Sequence, residues 1–397
     1  MIAGLLFAHR ETDDDLGQGS GRLTATLPFG GVTLIEYQAR LLVEAGVSQI
    51  VILVSRLTPE LLGAVTRIGK RRVTVDAVRH LNEAASKLHP LARVLMLADG
   101  LITTERVVGV LAGEGSDALL VLPQPEAGSR FELLGGGVAW AGVARLDPRR
   151  IAEAARLPAD YDPQSTLLRL ADQARGVHVL LPAEALAHGH GVEQDGPALA
   201  ARGRAVLAAI VSDRRGWFDR LVLAPLARIA LPPAIDRRWS GAMVGSGGAL
   251  LGLAGLAGIA LGWSVAGLAA SLLACLVLAL GATLSGLRDE PRAESLQRTG
   301  GLLLPALAGL FLGAAVSGKA GNLAALAVAA ALVTLAALAE RAGPERIRRI
   351  WWGSPAAYLL VVLAATGTGW PVAGLALAAG YATATLTAAI ERLRRQT

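Results

Sequence analysis

Residues 239–287 read WSGAMVGSGGALLGLAGLAGIALGWSVAGLAASLLACLVLALGATLSGL, an apolar stretch without Asp, Glu, Lys or Arg. It is long enough for two membrane-spanning helices, because about 20 apolar residues rising about 1.5 Å each cross the hydrocarbon core of a bilayer. Gly262-Trp263-Ser264, near its centre, provides a tight turn. Helices of a soluble bundle would carry charges on an outer face, and this stretch carries none. It therefore predicts a transmembrane hairpin.

The same pattern continues toward the C-terminus. Residues 350–390 are also uncharged and divide at Gly367-Thr368-Gly369, which predicts a second hairpin. Two shorter uncharged segments, Thr299–Gly318 and Ala320–Ala339, each fit one span. The sequence therefore predicts six transmembrane helices within residues 239–397.

Arginine is concentrated in alternate loops of this predicted bundle. The loops on one side contain Arg220, Arg228, Arg237, Arg238, Arg288, Arg292, Arg298, Arg341, Arg346, Arg348, Arg349, Arg392, Arg394 and Arg395. The loops on the other side carry only Lys319. Because positive residues stay on the cytoplasmic side, the pattern predicts a multi-pass protein of the inner (cytoplasmic) membrane with both termini in the cytoplasm.

The overall charge indicates the kind of partner. The net charge of +6 comes mostly from these arginine clusters, so membrane lipids with anionic headgroups explain it better than nucleic acid does. Aromatic residues are few, which also disfavours nucleic acid. The single Cys275 lies in a predicted span and excludes disulfides and cysteine-based metal sites. A homodimer through the membrane domain is a further expectation.

Residues 1–210 have a different pattern, that of a soluble α/β domain. The predicted strands are Met1–Ala8, Gln49–Ser55, Val73–Val78, Arg93–Ala98 and Ala118–Leu122, and the predicted helices are Leu34–Ala45, Pro59–Gly69, Leu81–Leu88 and Thr103–Leu111. Alternating strands and helices favour a doubly wound sheet with a ligand site at the carboxyl ends of its strands. Residues 131–146, rich in Gly and Val, are expected to supply an antiparallel section.

Residues 211–238 form the junction between the two domains. Trp217 and the following apolar residues alternate with Arg220 and Arg228, and Pro232-Pro233 ends the pattern. We expect an interfacial helix along the cytoplasmic leaflet, with Trp217 at headgroup depth. An amphipathic helix packed on the soluble domain is the alternative.

Several segments resemble sugar-phosphate nucleotidyltransferases. They are LPFGGVTLIEY (Leu27–Tyr37), Ala45-Gly46-Val47, Ile50–Val54 and VLMLADG (Val94–Gly100). Residues 202–226 resemble the junction in bifunctional inositol-1-phosphate cytidylyltransferase/di-inositol-phosphate-phosphate synthases. In that family a cytidylyltransferase domain precedes a six-helix CDP-alcohol phosphotransferase domain, which implies the same order here.

The resemblance implies CTP or another nucleotide as ligand and Mg²⁺ as cofactor. It assigns the metal to Asp99, with Glu193 or Asp195 as the second carboxylate. Asp99 could instead start a loop or cap the following helix. The glycine-rich segment 17–22, with Gly19, Gly21 and Arg22, either replaces the family's phosphate loop or is a flexible surface loop.

Both halves depart from the family. The first loop contains Asp13, Asp14 and Asp15, which would repel phosphates, and no Lys precedes Lys70. In the membrane half, every Asp of the family motif D-G-x2-A-R-x8-G-x3-D-x3-D is replaced by an uncharged residue within 280–287 and 300–307. The nearby acids are Asp289, Glu290 and Glu294. Two-metal phosphotransfer needs such carboxylates, so we expect no transfer in this half.

Three functions remain open. The chain is an active bifunctional transferase with rearranged sites, a membrane-anchored protein that keeps only its nucleotidyltransferase activity or nucleotide binding, or a non-catalytic scaffold in envelope lipid assembly. Loss of the motif carboxylates disfavours the first. His178, His188 and His190 lack a third ligand at suitable spacing, so we expect solvated loop histidines and not a metal site.

Overall fold

The computed structural model describes residues 1–12, 21–71, 73–128, 130–158, 160–212, 216–237, 239–287, 290–343 and 349–395. The chain forms two compact units, Met1–Ala209 and Ile210–Thr397. The first contains strands and helices, and the second is helical.

The first unit follows the predicted alternation. Its strands are β1 (Ile2–Ala8), β2 (Pro28–Phe29), β3 (Val32–Thr33), β4 (Gln49–Val54), β5 (Thr74–Val78), β6 (Arg93–Leu97), β7 (Leu101–Ile102), β8 (Ala118–Pro123), β9 (Val138–Leu146), β10 (Val177–Leu180) and β11 (Gly191–Val192). Its helices are α1 (Leu34–Glu44), α2 (Pro59–Gly69), α3 (Leu81–Lys87), α4 (Glu105–Gly109), α5 (Pro148–Ala154), α6 (Pro163–Gln173) and α7 (Gly196–Ser212), the last of which runs past the unit boundary.

Seven strands form one mixed sheet in the order β10-β8-β9-β6-β1-β4-β5. Strand β1 pairs in parallel with β4 and β6, and β4 pairs in parallel with β5. Strand β9 is antiparallel to both neighbours, β6 and β8, which confirms the predicted antiparallel section. The short pairs β2–β3 and β7–β11 lie outside this sheet.

The central strands are buried on both faces. Residues 3–8 of β1 and 50–54 of β4 are all buried, although successive side chains point to opposite sides of a sheet. Both faces must therefore be covered. The helices form two groups that fit this requirement: α1 contacts α2, and α5 contacts both α3 and α6. Because β1, β4, β5 and β6 are parallel, their carboxyl ends lie along the same edge of the sheet.

Helix α1 begins with a reciprocal capping arrangement. The backbone N–H and the hydroxyl of Thr33 donate to Oε2 of Glu36, at 2.9 and 2.5 Å, and Arg67 Nε donates to Oε1 at 2.5 Å. Burial alone would raise the pKa of Glu36, but the hydrogen bonds from Arg67 and Thr33 outweigh it and hold the pKa below its ordinary value. The ionised carboxylate is therefore part of the folded structure.

The second unit contains helices α8 (Ala224–Asp236), α9 (Gly241–Ala260), α10 (Ser264–Leu287), α11 (Pro291–Ala320), α12 (Ala324–Ala342), α13 (Pro355–Gly367) and α14 (Pro371–Arg394). Of these described helices, α9, α10, α11, α12 and α14 are long and apolar enough to cross a membrane. Helix α13 is apolar but has 13 residues. At about 1.5 Å per residue it is about 20 Å long, shorter than a bilayer core of about 30 Å, so the sixth span is not confirmed.

Helix α8 packs on the helices of its own unit. One face, with Ala224, Ala227, Leu231 and Ala234, is buried against Leu284 of α10. Ile229, on another face of α8, is 74% exposed, and Leu221, in the short helical turn Asp219–Leu223 before α8, is 71% exposed. The expectation that Pro232-Pro233 ends this helix is wrong, because it continues to Asp236 with both prolines inside.

Trp217 precedes this helix and is hydrogen-bonded to the last helix. Its indole Nε1 donates to the hydroxyl of Tyr381 at 2.8 Å, and that hydroxyl donates to the carbonyl of Trp351 at 2.6 Å. The backbone N–H of Trp217 donates to Ile350. The start of the junction is thus fixed to α14 and to the segment before α13.

A buried polar contact joins three helices of the second unit. Gln297 of α11 donates from Nε2 to the carbonyl of Gly241 at 2.7 Å and accepts from Ser285 of α10 at 3.2 Å. Side chains at Gly245 and Gly281 would collide with or crowd the Gln297 amide. These glycines therefore make room for a polar group that would otherwise be unsatisfied in an apolar interior.

We predict that Glu36→Gln destabilises the protein by about 1 kcal/mol at neutral pH, because it removes the ionic part of the Arg67 contact and keeps the capping geometry. Since the folded-state pKa is lowered, this stabilisation is present above the unfolded pKa of about 4.3 and disappears as pH falls through the folded value. Thermal unfolding between pH 3 and 7 measures the difference.

Glu44→Gln is the matched control. Glu44 pairs with Arg40 on the same helix, at 3.7 Å and 40% side-chain exposure, so its removal is expected to change stability little. A Glu36→Gln deficit that persists at the lowest pH would contradict the ionic explanation.

Candidate functional site

Asp99 lies at the carboxyl edge of the sheet, two residues beyond the end of β6. It is 1% exposed, and its Oδ2 accepts hydrogen bonds from the backbone N–H groups of His9 and Arg10, both at 2.8 Å. These two residues directly follow β1. The backbone N–H of Asp99 donates to Oε1 of Gln164 on α6 at 2.8 Å. Asp99 therefore connects the end of β6 with the loop that follows β1 and with helix α6. It does not cap α4, whose N-cap is Thr104.

The second carboxylate oxygen of Asp99, Oδ1, is buried and has no hydrogen-bond partner among the described residues. Burial raises the pKa of Asp99 to about 6, although the N–H groups of Arg10 and His9 favour the ionised form. A buried carboxyl with an unused acceptor and a raised pKa at a strand end is typical of a ligand site.

Two further acids are linked to Asp99 through α6, the helix that carries Gln164. Asp162 caps α6, with Oδ2 accepting from the Ser165 N–H at 2.8 Å, and the Ser165 hydroxyl donates to Glu132 at 2.9 Å. Burial raises the pKa of Glu132, and the charge of Asp162 raises it further and also raises that of Asp99. We call Asp99, Glu132 and Asp162 the acidic cluster.

Positive charge adjoins this cluster. The charges of Arg10 and Arg169 lower the pKa of Glu132, opposing the effect of burial, and Arg10 acts in the same way on Asp99. The site thus combines hydrogen-bond acceptors with two guanidinium groups. Glu132, Asp162 and Gln164 were not among the predicted site residues, and their one local signal is Asp162-Pro163, an N-cap followed by proline at a helix start.

The structure places Glu193 beside the residue that follows Asp99. Strand β11 pairs antiparallel with β7, and the Glu193 N–H donates to the Gly100 carbonyl at 3.0 Å. The Glu193 carboxylate, however, is ion-paired with Arg202 at 2.5 Å and with Arg130 at 3.3 Å. Asp195 is paired as well: its Oδ2 contacts Arg130 at 3.1 Å, and its Oδ1 accepts from the Ala198 N–H at 2.7 Å.

These contacts test the predicted Mg²⁺ site. Asp99 offers a free oxygen, as a metal ligand must, but all four carboxylate oxygens of Glu193 and Asp195 are engaged by arginines or by a backbone N–H. Within the described part of the chain, no three or more His, Cys, Asp or Glu side chains are grouped to hold a metal ion. The three carboxylates in this arrangement do not fit a magnesium site.

The glycine-rich segment is described only in part. Gly19 lies outside the described residues, as do Asp13, Asp14 and Asp15. The Gly21 carbonyl accepts from Arg56, and the exposed Arg22 donates to the Thr26 carbonyl at 3.3 Å.

Backbone hydrogen bonds close the base of the same loop. The Thr12 N–H donates to the Arg22 carbonyl at 2.8 Å, and the Thr24 N–H donates to the Arg10 carbonyl at 2.9 Å. Gly21 and Arg22 therefore belong to the loop whose first residues bind Asp99.

His190 is not the solvated histidine that the sequence suggested. It is 1% exposed, its Nδ1 lies 2.9 Å from the Thr103 hydroxyl, and its ring stacks on Phe131. Burial lowers the pKa of His190 to about 4, so the ring is neutral near pH 7. His190 is a structural residue beneath the site, since Thr103 also accepts from the Tyr37 hydroxyl through its carbonyl. His178 is partly exposed, and its Nε2 lies 3.0 Å from Asp172.

Comparisons with known proteins concern the fold. No family model and no curated protein matches the sequence. UDP-glucose pyrophosphorylase, solved with UDP-glucose, aligns with a TM-score of 0.38 and 12% identity over 52% of this chain and 98% of its own. A glucose-1-phosphate thymidylyltransferase from Bacillus anthracis, solved with sucrose, aligns with a TM-score of 0.37 and 10% identity over 46% of this chain and 87% of its own. These similar structures are nucleotidyltransferases by name.

We predict that Gly100→Ala destabilises the protein by about 1–3 kcal/mol. Gly100 has φ +79°, and a Cβ there would collide with the Glu193 carbonyl oxygen. Gly109→Ala is the control, because Gly109 ends α4 with open space around its Cα; it is expected to be neutral or stabilising by less than about 1 kcal/mol. Thermal unfolding of the full chain in detergent compares the two, and equal midpoints would refute the close approach of residues 100 and 193.

Proposed function

We propose that the soluble unit binds a nucleotide, or a phosphorylated polyol of the kind that nucleotidyltransferases activate, at the carboxyl edge of its sheet. The observation that carries this proposal is the buried Asp99 carboxylate, which holds the loop after β1 through Oδ2 and whose Oδ1 has no hydrogen-bond partner in the part of the chain that the structure describes. The motif resemblance around Val94–Gly100 supports the same assignment.

The chemistry of the site suits such a ligand. Carboxylates accept hydrogen bonds from hydroxyl groups, and a ribose or polyol presents several on neighbouring carbons. The acidic cluster supplies acceptors for them, while Arg10 and Arg169 supply positive charge for a phosphate. The reaction included in this proposal is attack of the polyol phosphate on the α-phosphorus of a nucleoside triphosphate, which transfers the nucleotidyl group and releases pyrophosphate.

We propose that the helical unit anchors the protein and does not transfer phosphoryl groups. Where the predicted motif would supply carboxylates, the described residues place Ser285 and Gln297 in a closed hydrogen-bonded contact with Gly241. Of the nearby acids, Glu290 accepts from the Ala242 N–H at 3.2 Å and from the Ser285 hydroxyl at 3.5 Å, and Glu294 pairs with Arg298 at 2.5 Å. Asp289 lies outside the described residues.

A non-catalytic scaffold that binds a partner in envelope lipid assembly is the second candidate. It is favoured by the pairing of Glu193 with Arg130 and Arg202, which removes the second carboxylate expected of an active transferase. Binding of a nucleotide distinguishes the two functions.

We also propose that both termini face the cytoplasm at the inner membrane. The arginine-rich loops support this orientation, although Arg238, Arg288, Arg346 and Arg348 lie outside the described residues. Residues 350–354, which precede α13, are uncharged and lengthen its apolar segment. If this apolar segment together with α13 crosses the membrane, the chain has six spans, and an even number of spans places both termini on the same side.

We predict that Asp99→Asn lowers the affinity for CTP about tenfold or more, because the neutral amide keeps the shape of the carboxylate and loses a charged acceptor worth about 1.5–3 kcal/mol. Calorimetric titration of the full chain in detergent measures this. Asp76→Asn is the control. Asp76 lies on the edge strand β5 and pairs with Lys87, so this variant should bind CTP as the unmodified chain does. Equal affinities for both variants, or no nucleotide binding by the unmodified chain, would leave the scaffold function in front.

We predict that a reporter fused after Gly318 is extracytoplasmic and that a reporter at the C-terminus is cytoplasmic. Alkaline phosphatase and fluorescent-protein fusions read these two sides. If α13 does not cross, the five remaining spans place the C-terminus outside, and an active C-terminal phosphatase would overturn the orientation.

A further inference from the structure

Arg130, Glu193, Asp195 and Arg202 form one charged network beside Gly100, which we call the arginine clamp. Glu193 is 8% exposed, with Oε1 held by Arg202 Nε at 2.5 Å and Oε2 held by Arg130 Nη1 at 3.3 Å. A carboxylate buried to this extent needs a positive partner, and here it has one on each oxygen.

Arg130 also reaches the second acid. Its Nη2 contacts Asp195 Oδ2 at 3.1 Å, so the guanidinium spans two carboxylates separated by one residue. The other oxygen of Asp195 accepts from the Ala198 N–H and begins α7. Arg130 is therefore the one residue of the clamp that contacts both acids.

The local backbone is shaped to receive Arg202. Its Nη1 donates to the His190 carbonyl at 2.9 Å, and Gly191 leaves room for the guanidinium, because a Cβ at residue 191 would displace Arg202 from this position. His190 is itself fixed by Thr103 and Phe131. The clamp is thus built into the junction of β11 and α7 and is not a chance contact of surface side chains.

The charges of the clamp balance without a metal. Two guanidinium groups offset two carboxylates, which is the charge that one divalent cation would supply. Each oxygen of Glu193 and Asp195 already contacts an arginine or a backbone N–H, so Mg²⁺ at these acids would compete with two guanidinium groups for the same carboxylates.

We propose that Arg130 and Arg202 take the place of the divalent cation, so that the soluble unit binds its phosphorylated ligand without Mg²⁺. This inference rests on the proposed function for the identity of the ligand. A second part of the proposal does not depend on the identity of the ligand. Arg130 pairs with Glu193 and Asp195 and thereby keeps both carboxylates from binding a metal ion.

The first experiment titrates CTP into the unmodified full chain in detergent, once with excess Mg²⁺ and once with EDTA. The dissociation constants are expected to agree within about twofold, because no metal bridges protein and phosphate. A loss of affinity of about tenfold or more in EDTA would overturn the proposal. It would show that a bridging cation, and not the arginines, supplies the positive charge that binds the phosphates.

The second experiment uses Mn²⁺ alone, measured by electron paramagnetic resonance and by the shift in thermal unfolding. Arg130→Gln frees Oε2 of Glu193 and Oδ2 of Asp195, so this variant is expected to bind Mn²⁺ about tenfold or more tightly than the unmodified chain and to be stabilised by it. Arg130→Lys keeps a positive charge and is expected to gain less.

Arg395→Gln is the control. Arg395 pairs with one exposed carboxylate, that of Glu391 at 3.0 Å on the same helix, so its removal frees no second metal ligand. This variant should gain no Mn²⁺ affinity. If Arg130→Gln does not fold, Arg202→Gln is used in its place, because it frees Oε1 of Glu193.

The two experiments separate the two proposals. Absence of CTP binding in both buffers refutes the proposed function, while the Mn²⁺ measurements still decide the clamp. Tight Mn²⁺ binding by the unmodified chain, or no gain in the folded Arg130→Gln or Arg202→Gln variant, overturns the clamp even if CTP binds.

Discussion

The hydrogen bonds of the Asp99 carboxylate to the backbone of His9 and Arg10 organise the first unit. They fix the path of the chain as it leaves β1, the strand that lies between β4 and β6. The next residue, Gly100, adopts a left-handed conformation that brings Glu193 and the arginine clamp against the same edge. An acid that is costly to bury is kept there because the surrounding backbone uses one of its oxygens as an acceptor.

The second unit is held together by different means. Small residues allow its helices to approach closely, and the principal buried polar contact, between Gln297, Ser285 and Gly241, is satisfied inside the bundle. In lipid, polar groups have no water to replace a lost partner, so such a contact fixes the register of α9, α10 and α11. The two units therefore treat polar groups differently: the first buries an acid at the carboxyl edge of its sheet, and the second satisfies interior side chains such as Gln297 and Ser271 with partners inside the bundle.

Local pattern was enough to predict most of the secondary structure. Helix α2 was predicted with its observed bounds, Pro59–Gly69, because Thr58 caps it and a glycine ends it. Strand β4 and the turn at Gly262 followed from continuous apolar runs and their interruption. At α13 the apolar run is longer than the helix, which has Ser354 as its N-cap and 13 residues from Pro355 to Gly367, so the sixth span is not confirmed.

The site was predictable only in part, because its geometry depends on residues distant in sequence. Asp99 could be placed at a strand end from its own neighbourhood. Glu132, Asp162 and Gln164 reach it through the fold, and no spacing in the sequence reports that. His190 was misjudged for the same reason, since Thr103 and Phe131 surround it from other segments. Glu193 and Asp195 were placed near this edge by resemblance, but their arginine partners could be recognised only in three dimensions.

The apolar residues of α8 have a consequence for biogenesis. The chain is synthesised from its N-terminus, so Ala224, Ala227, Leu231 and Ala234 emerge from the ribosome well before Leu284, the residue of α10 that covers them. During that interval the face that Leu284 later covers is exposed together with Ile229, which stays exposed in the finished fold. Apolar side chains on two faces of one helix favour association with another apolar surface until α10 has been synthesised.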